Sequence, residues 1–383
     1  LNESIKISAN VETSSDYTKA TIGVIIEYEG EIDSVTINGE IVEVVKNEEG
    51  KYVGSKEVNE NGNYNIVATA KDGSKNKETI KVEDLADNME IWNKTDMEKF
   101  RDKVNNGATF EGKKVSVMAD IDLEGSENNQ FTPINSFSGT FEGNNHKINN
   151  LYIDSNLYAN LGLFCTTESS ASIQNTILED VYINSNYSTT NEYVCTGGIV
   201  GLSEGKISNC GINSGTISST NNSVSNGNWY YVSIGGIAGV SSVISNCYNN
   251  ANISGTRQKL VFNSVYAGGI VGSSDGGIRI SNCYNTGTIS GNGGHIAVGG
   301  IIGQHSGSSE LHNSYNIGIV NGSGSSEAFV AGIIGRVGNK SSAYNNNIVN
   351  SYNLETVGIS HIFFNGRDYQ RSSSLNVDED LLK

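Results

Sequence analysis

The sequence predicts an all-β protein whose larger part is a solenoid of stacked repeats. A GGIVG phrase at Gly268 returns as GGIVG at Gly197, GGIAG at Gly235, GGIIG at Gly299 and AGIIG at Ala331, spaced 38, 33, 31 and 32 residues apart. Each copy is followed by a second phrase: ISNC ending at Cys210, Cys247 and Cys283, LHNS at Ser314, and IVNS at Ser351. A near-fixed period of this size marks supersecondary units that bury their apolar faces only by stacking. The composition agrees. Forty-five glycines and one proline, with many Asn and Ser, describe a turn-rich β chain. Apolar residues recur at fixed positions, which argues against disorder.

Charge and length set further bounds. A chain of 383 residues leaves room for two or three domains. Its net charge of −17 is unevenly spread: residues 1–86 hold 17 acids and 9 bases, whereas 197–358 hold 5 acids and 6 bases. With no basic stripe, nucleic acid is not an expected partner. No apolar run nears the roughly 20 residues of a membrane helix, so no membrane insertion is expected. Five cysteines, three of them at one repeat position, point to buried free thiols more than to a disulfide framework. No signal peptide is visible, and the chain is expected to be a piece of a longer one.

Residues 1–86 carry short alternating runs at 5–7, 22–28, 35–37, 41–45, 64–68 and 79–82. Asn38-Gly39, Glu49-Gly50, Asn61-Gly62 and Asp72-Gly73 separate them, which predicts a small antiparallel sandwich. The stretch from Asn59 to Val82, NENGNYNIVATAKDGSKNKETIKV, resembles the final hairpin of bacterial immunoglobulin-like surface modules. That resemblance implies an immunoglobulin-like β-sandwich over 1–86.

Residues 87–383 read as the solenoid. The one helix is expected over 89–107, with Thr95 and Glu98 as a capping box and Met97, Phe100 and Val104 on one face. Asn106-Gly107 supplies its stop. A solenoid needs a plug over its raw end, and this segment, with Trp92 over the first coil, is expected to be that plug. The phrase from Phe137 to Ile153, FSGTFEGNNHKINNLYI, resembles the opening coil of bacterial surface β-helices. LGLFC, from Leu161 to Cys165, begins a degenerate first repeat with Gly162 in register with Gly198. At the other end, residues 359–383 leave the period and are expected to form a C-terminal cap. There, 362–364 would cover the last coil and Asn376 would open a helix.

The repeats align in columns. One is Asn175, Asn209, Asn246, Asn282, Asn313 and Asn350; the next is Thr176, Cys210, Cys247, Cys283, Ser314 and Ser351. Each repeat holds about three extended pieces. In a parallel stack like residues lie about 4.8 Å apart, so the Asn column predicts an amide ladder at an interior bend. Asn also tolerates the left-handed backbone of such a bend. The double glycine lets coils turn sharply and pack closely. Insertions at 219–232 and 257–265 would leave as loops on one side. A Tyr column (Tyr248, Tyr284, Tyr315, Tyr352) faces out if Asn marks a bend, and shares a face with Asn if the strand runs on. Outward rings would either stack on sugars or pack on one another to support the wall.

The spacing and the GGI(V/A/I)G and ISNCYN phrases resemble the GLUG repeat of bacterial cell-surface proteins, over about residues 161–358. This resemblance implies a right-handed parallel β-helix (solenoid) and a secreted or surface-anchored bacterial protein. It supplies no catalytic residues.

The search for chemistry returns little. There is no HExxH, no CxxC and no phosphate loop before a helix, so no metal site, catalytic residue or cofactor is assigned. His295, His305 and His312 fall in neighbouring coils and could approach one another. Asp275 with Arg279 reads as a surface ion pair, and Asp120 with Asp122 as a weak carboxylate pair. The expectation is a monomeric, non-enzymatic, extracellular adhesin-like scaffold for a host glycan or host surface protein. A carbohydrate-active β-helix enzyme and a spacer or docking arm of a larger secreted enzyme are the alternatives. Trp229, Tyr230 and Tyr231 are the candidate exposed contact site.

Overall fold

The structure, a computed structural model, describes residues 4–354 except 16, 84, 190–192, 224–229, 259–262, 275 and 338–345, and beyond 354 only 363–365 and 376–377. The chain forms two compact units, Leu1–Asn88 with Asn105–Lys113, and Met89–Val104 with Lys114–Lys383.

The first unit has eight strands: β1 (Lys6–Thr13), β2 (Ala20–Glu27), β3 (Ile32–Ile37), β4 (Glu40–Ile41), β5 (Val45–Lys46), β6 (Tyr52–Val58), β7 (Gly62–Ala70) and β8 (Lys75–Val82). They form two antiparallel sheets, ordered β1-β2-β6-β5 and β4-β3-β7-β8. Alternation puts Ile22, Val24 and Ile26 of one sheet and Val35, Ile37, Ile66 and Ala68 of the other into one apolar core. Asn38 and Gly39 both adopt positive φ (49° and 85°), the tight hairpin expected of Asn-Gly between β3 and β4. Tyr64 anchors β7 by donating its hydroxyl to the Glu60 carbonyl at 2.8 Å.

The second unit is a parallel β-solenoid. Its four sheets hold nine, nine, eight and ten strands. Wall A carries the ISN strands, such as Lys206–Ser208, Val243–Ser245 and Ile278–Ser281. Wall B carries two-residue strands, such as Tyr248–Asn249 and Tyr284–Asn285. Wall C is split, with Gly215–Asn221 and Asn252–Arg257 in its first part and Tyr231–Gly235 and Ser264–Gly268 in its second. Wall D follows the double glycine, with Val200–Ser203, Ala238–Val240, Val271–Ser274 and Ile302–His305. Parallel register sets like on like: Ile207 pairs with Ile244, Ile244 with Ile280, and Ile280 with Leu311. Each of these is buried, and each full burial contributes about 2 kcal/mol.

Four walls replace the three pieces expected, because wall B strands are too short to show alternation in sequence. Both insertions fall between the halves of wall C, but their ends, 219–221, 231–232, 257 and 264–265, are strand residues, and 224–229 and 259–262 lie outside the described residues. In the next two coils single strands, Ile289–Gly299 and Val320–Ala331, run through both halves without a loop.

At the N-terminal end, Met89–Ile91 is already a strand of wall A, paired with Lys114–Val117. The helix α1 (Lys94–Asn105) follows and buries Met97, Phe100 and Val104. The ring of Phe100 meets those of Phe137, Phe141 and Phe164 at centroid distances of 5.5, 5.7 and 6.4 Å. Two details differ from expectation. The cap is Asn93, whose Oδ1 accepts from the Asp96 N–H at 3.1 Å, while the Asp96 carboxylate accepts from the Trp92 N–H at 3.2 Å. Thr95 lies inside the helix, so the reciprocal box sits two residues earlier than Thr95–Glu98. Trp92 is 52 % exposed and donates its ring N–H to Glu90, so Phe100 forms the plug in its place.

At the other end, Phe363–Asn365 continues wall D and Asn376–Val377 continues wall B. Asn376 therefore sits in a strand, and Phe363 and Phe364 extend a wall where a cover over the last coil was expected. Residues 366–375 and 378–383 lie outside the described residues.

Candidate functional site

Between walls A and B the chain turns at one Asn per coil. Asn175, Asn209, Asn246, Asn282, Asn313 and Asn350 have φ of 51°, 53°, 53°, 55°, 49° and 48°. This left-handed region suits Asn better than any other residue with a side chain except Asp. Each side-chain N–H donates to the Oδ1 of the coil before: Asn209 to Asn175 at 3.0 Å, Asn246 to Asn209 at 2.9 Å, Asn282 to Asn246 at 2.9 Å, Asn313 to Asn282 at 3.1 Å and Asn350 to Asn313 at 3.2 Å. The ladder ends on Glu142, whose carboxylate accepts from Asn175, Gln174 and the Asn144 N–H. Burial raises the pKa of Glu142, but these three donors outweigh it and hold the carboxyl below the usual glutamate range. The ladder was expected inside the bend, yet its amides lie on the outside, and from Asn209 onward they are exposed.

The inward position is the next residue. Cys210, Cys247 and Cys283 are free and buried, as the repeat position implied. Each thiol donates to the carbonyl two residues back, at 3.2, 3.1 and 3.3 Å. The sulfurs of Cys247 and Cys283 in turn accept from the N–H groups of Cys210 and Cys247. Burial pushes the Cys247 thiol well above its ordinary value, so it stays protonated in this filled corner.

A second amide ladder was missed by sequence reasoning. Asn249, Asn285, Asn316 and Asn353 on wall B are fully buried. Asn249 donates to Asn285 at 2.8 Å, Asn285 to Asn316 at 2.8 Å, and Asn316 to Asn353 at 2.9 Å. The same N–H groups reach the carbonyls of Ala251, Gly287 and Gly318. The signal was the Tyr-Asn pair after Cys247, Cys283, Ser314 and Ser351. Four glycines face this ladder: a Cβ on Gly236, Gly269, Gly300 or Gly332 would lie 2.2–2.5 Å from the ladder Cγ, whereas Gly198 meets Ile212 and Ile217.

The Tyr column faces outward, half-buried, beside inward Cys. Tyr248, Tyr284 and Tyr315 stack 5.2 Å apart with interplanar angles of 9° and 6°. Rings this nearly parallel cover each other's faces, and Tyr248 lies flat on Gly211. The column therefore supports the wall and leaves little ring face for a sugar.

A different aromatic group lies on wall C. Tyr193 and Tyr231 stack at 4.4 Å, Tyr231 meets Tyr266 at 4.8 Å and 45°, and Tyr230 meets Tyr193 at 5.2 Å and 60°. All four lie at or beside the second half of wall C, below the loop corner. Tyr193 is 46 % exposed, while Tyr231 is only 8 % exposed. The expected contact trio is thus split: Tyr231 is a support, Tyr230 joins the cluster, and Trp229 lies outside the described residues. Tyr193, which sequence reasoning missed, offers the open ring. Farther along this wall His295 hydrogen-bonds Glu327 at 3.1 Å, and Arg336 sits over Phe329 at 5.1 Å.

The remaining candidates go elsewhere. Asp120 accepts from the Lys147 N–H and contacts His146, and Asp122 accepts from Asn150 and the Glu124 N–H. Both carboxyls are held below the usual aspartate range, Asp120 first by the Lys147 backbone and Asp122 first by the Asn150 side chain. Each ties its coil to the next. Arg279 pairs with Glu310 of the adjacent coil at 2.8 Å, and Asp275 lies outside the described residues. Among the described residues no group of three or more His, Cys, Asp and Glu could hold a metal ion.

The three histidines do not converge: His295 is on wall C, His312 on wall A and His305 inside wall D. Burial pushes the His305 imidazole down to about 4, with the Gly307 backbone giving back a little. The folded pKa lies below the unfolded value near 6.5, so the unfolded chain takes up the proton first as pH falls. Stability from this residue is intact above about pH 6.5 and declines until about pH 4, by roughly 3 kcal/mol in all. His305→Gln is expected to flatten that part of the stability–pH curve. Urea unfolding of both proteins from pH 7.5 to 4 measures the difference.

The repeat unit now has a physical definition. A family model described as the GLUG motif matches residues 263–290. The chain carries the GLUG motif. The matched stretch begins at the second half of wall C, passes the double glycine, walls D and A, the Asn282 corner and wall B, and ends in the next wall C strand. The matched stretch covers most of one coil. A search of curated proteins finds no match for the chain. No helix among the described residues is long and apolar enough to cross a membrane.

Proposed function

We propose that this GLUG-motif solenoid is a non-enzymatic, extracellular bacterial scaffold that binds a glycan through the tyrosine cluster on wall C. The observation that carries this reading is the exposed ring of Tyr193, 46 % accessible, stacked on Tyr231 and tilted against Tyr230. Sugars present flat C–H faces, and a fixed aromatic ring with little entropy to lose is the usual platform for them. Three stacked coils hold the rings at set heights, which favours an extended chain of sugars over a single one. Weak contacts along the stack would then sum, and more so if the parent protein is displayed in many copies on a cell surface.

A glycan array with the intact chain tests the reading. Selective binding without product release supports it, and release of new reducing ends would make the protein an enzyme. Tyr193→Ala is expected to weaken the selected glycan roughly tenfold, about 1.4 kcal/mol. Tyr284→Ala, in the closed ladder, is expected to lower stability and leave affinity unchanged. The reverse pattern would place the contact on wall B.

A further inference from the structure

Arg257 ends the first half of wall C, directly before the loop corner. It is 1 % exposed and is the largest fully buried side chain among the described residues. Its Nη1 donates to the carbonyl of Tyr230, a member of the tyrosine cluster. Among the described residues its Nε and Nη2 have no hydrogen-bond partner. Among the described residues no carboxylate forms an ion pair with it. The loop sequences on either side, 222–230 and 258–263, contain no Asp or Glu, and the second adds Lys259. An arginine keeps its charge in a protein, and an unpaired buried charge costs several kcal/mol. Burial indeed draws this guanidinium below its ordinary value. Two unpaired N–H groups on a planar fork form the arrangement that receives the two oxygens of a carboxylate.

We propose that Arg257 is the floor of an anion site that takes a carboxylate, with the sugar bearing it lying on Tyr193 and Tyr230. The sugar part rests on the glycan reading above; the anion site does not. The ligand class is then an acidic glycan of the hexuronate type. A carboxylate from solution has the same chemistry, and the two sources differ in affinity.

The test is calorimetry and thermal melting of the full chain at fixed ionic strength. Three probes are used: sodium acetate, a hexuronate oligosaccharide, and an uncharged oligosaccharide of equal length. The acidic oligosaccharide is expected to bind at least roughly tenfold more tightly than the uncharged one. Arg257→Met should bring the two within about twofold, whereas Tyr193→Ala should weaken both alike. If Arg257→Met does not fold, Arg257→Lys serves: it keeps the charge, loses the fork, and should keep only part of the preference. Acetate that stabilises the wild type as strongly per carboxylate as the oligosaccharide makes this a site for free carboxylates, still through Arg257. Equal affinity for the two oligosaccharides, with no acetate effect, overturns the anion site and leaves the glycan reading standing. Binding of neither, with no acetate effect, removes both. Glu192 lies outside the described residues, and Glu192→Gln tests it as an alternative counter-ion. Anion dependence that emerges only in Glu192→Gln assigns that role to Glu192 and overturns the proposal.

Discussion

Replacing Gly269 by alanine is expected to destabilise the solenoid by roughly 3 kcal/mol or more, among the largest effects of any single methyl group in this chain. The added Cβ would lie 2.1 Å from the Gly300 carbonyl oxygen and 2.5 Å from Asn285 Cγ. Neither neighbour can yield cheaply. Gly300 belongs to the stacked backbone of the next coil, and Asn285 is fixed by hydrogen bonds on both sides. The coils would have to separate, which weakens the bonds to the coils above and below together. Gly276→Ala is the control, because a Cβ there meets nothing within 4 Å. It should stay within about 0.5 kcal/mol of the wild type. Guanidinium unfolding followed by far-UV dichroism reads both. Similar midpoints for the two variants would mean that the double glycine is not packed against the inner amides.

Removing one inner amide should cost more than removing one outer amide, although both ladders have similar hydrogen-bond lengths. Asn285→Ala takes a fully buried group from between Asn249 and Asn316. The Gly287 carbonyl loses its amide donor, and the neighbouring amides each lose a partner that water cannot replace. The expected loss is about 3 kcal/mol. Asn282→Gly removes an exposed amide whose partners can turn to solvent, and glycine accepts the φ of 55° without strain. Its expected loss is under about 1 kcal/mol. Asn282→Ala should lie between the two, since alanine pays for the left-handed backbone. The order Asn285→Ala, Asn282→Ala, Asn282→Gly in falling midpoint loss is what urea titration should return. An inverted order would place the stabilising ladder on the surface.

Particular residues show what was legible beforehand. The Asn column and the Cys column were readable because a repeat reports register: identical residues at one period must lie above one another in a parallel stack. The same logic would have exposed Asn249, Asn285, Asn316 and Asn353, but a two-residue strand gives no alternation to reveal its inward side. The plug was visible in the spacing of Met97, Phe100 and Val104. Its cap was misplaced because Asn93 and Thr95 both precede plausible acids, and only the backbone tells which one is outside the helix. Tyr193 escaped notice because it stands alone in its repeat. It becomes part of a cluster only when coils of different length bring Tyr230, Tyr231 and Tyr266 beside it.

The order of the residues by itself determined that like side chains would meet like, because a period of fixed length allows no other packing of units too small to fold alone. Tertiary structure decided which face each column took, that Tyr193 kept an exposed ring, and that Arg257 was closed in without an ion-pair partner among the described residues. Those outcomes depend on where the backbone turns between walls, and a corner is set by contacts with the coils on either side.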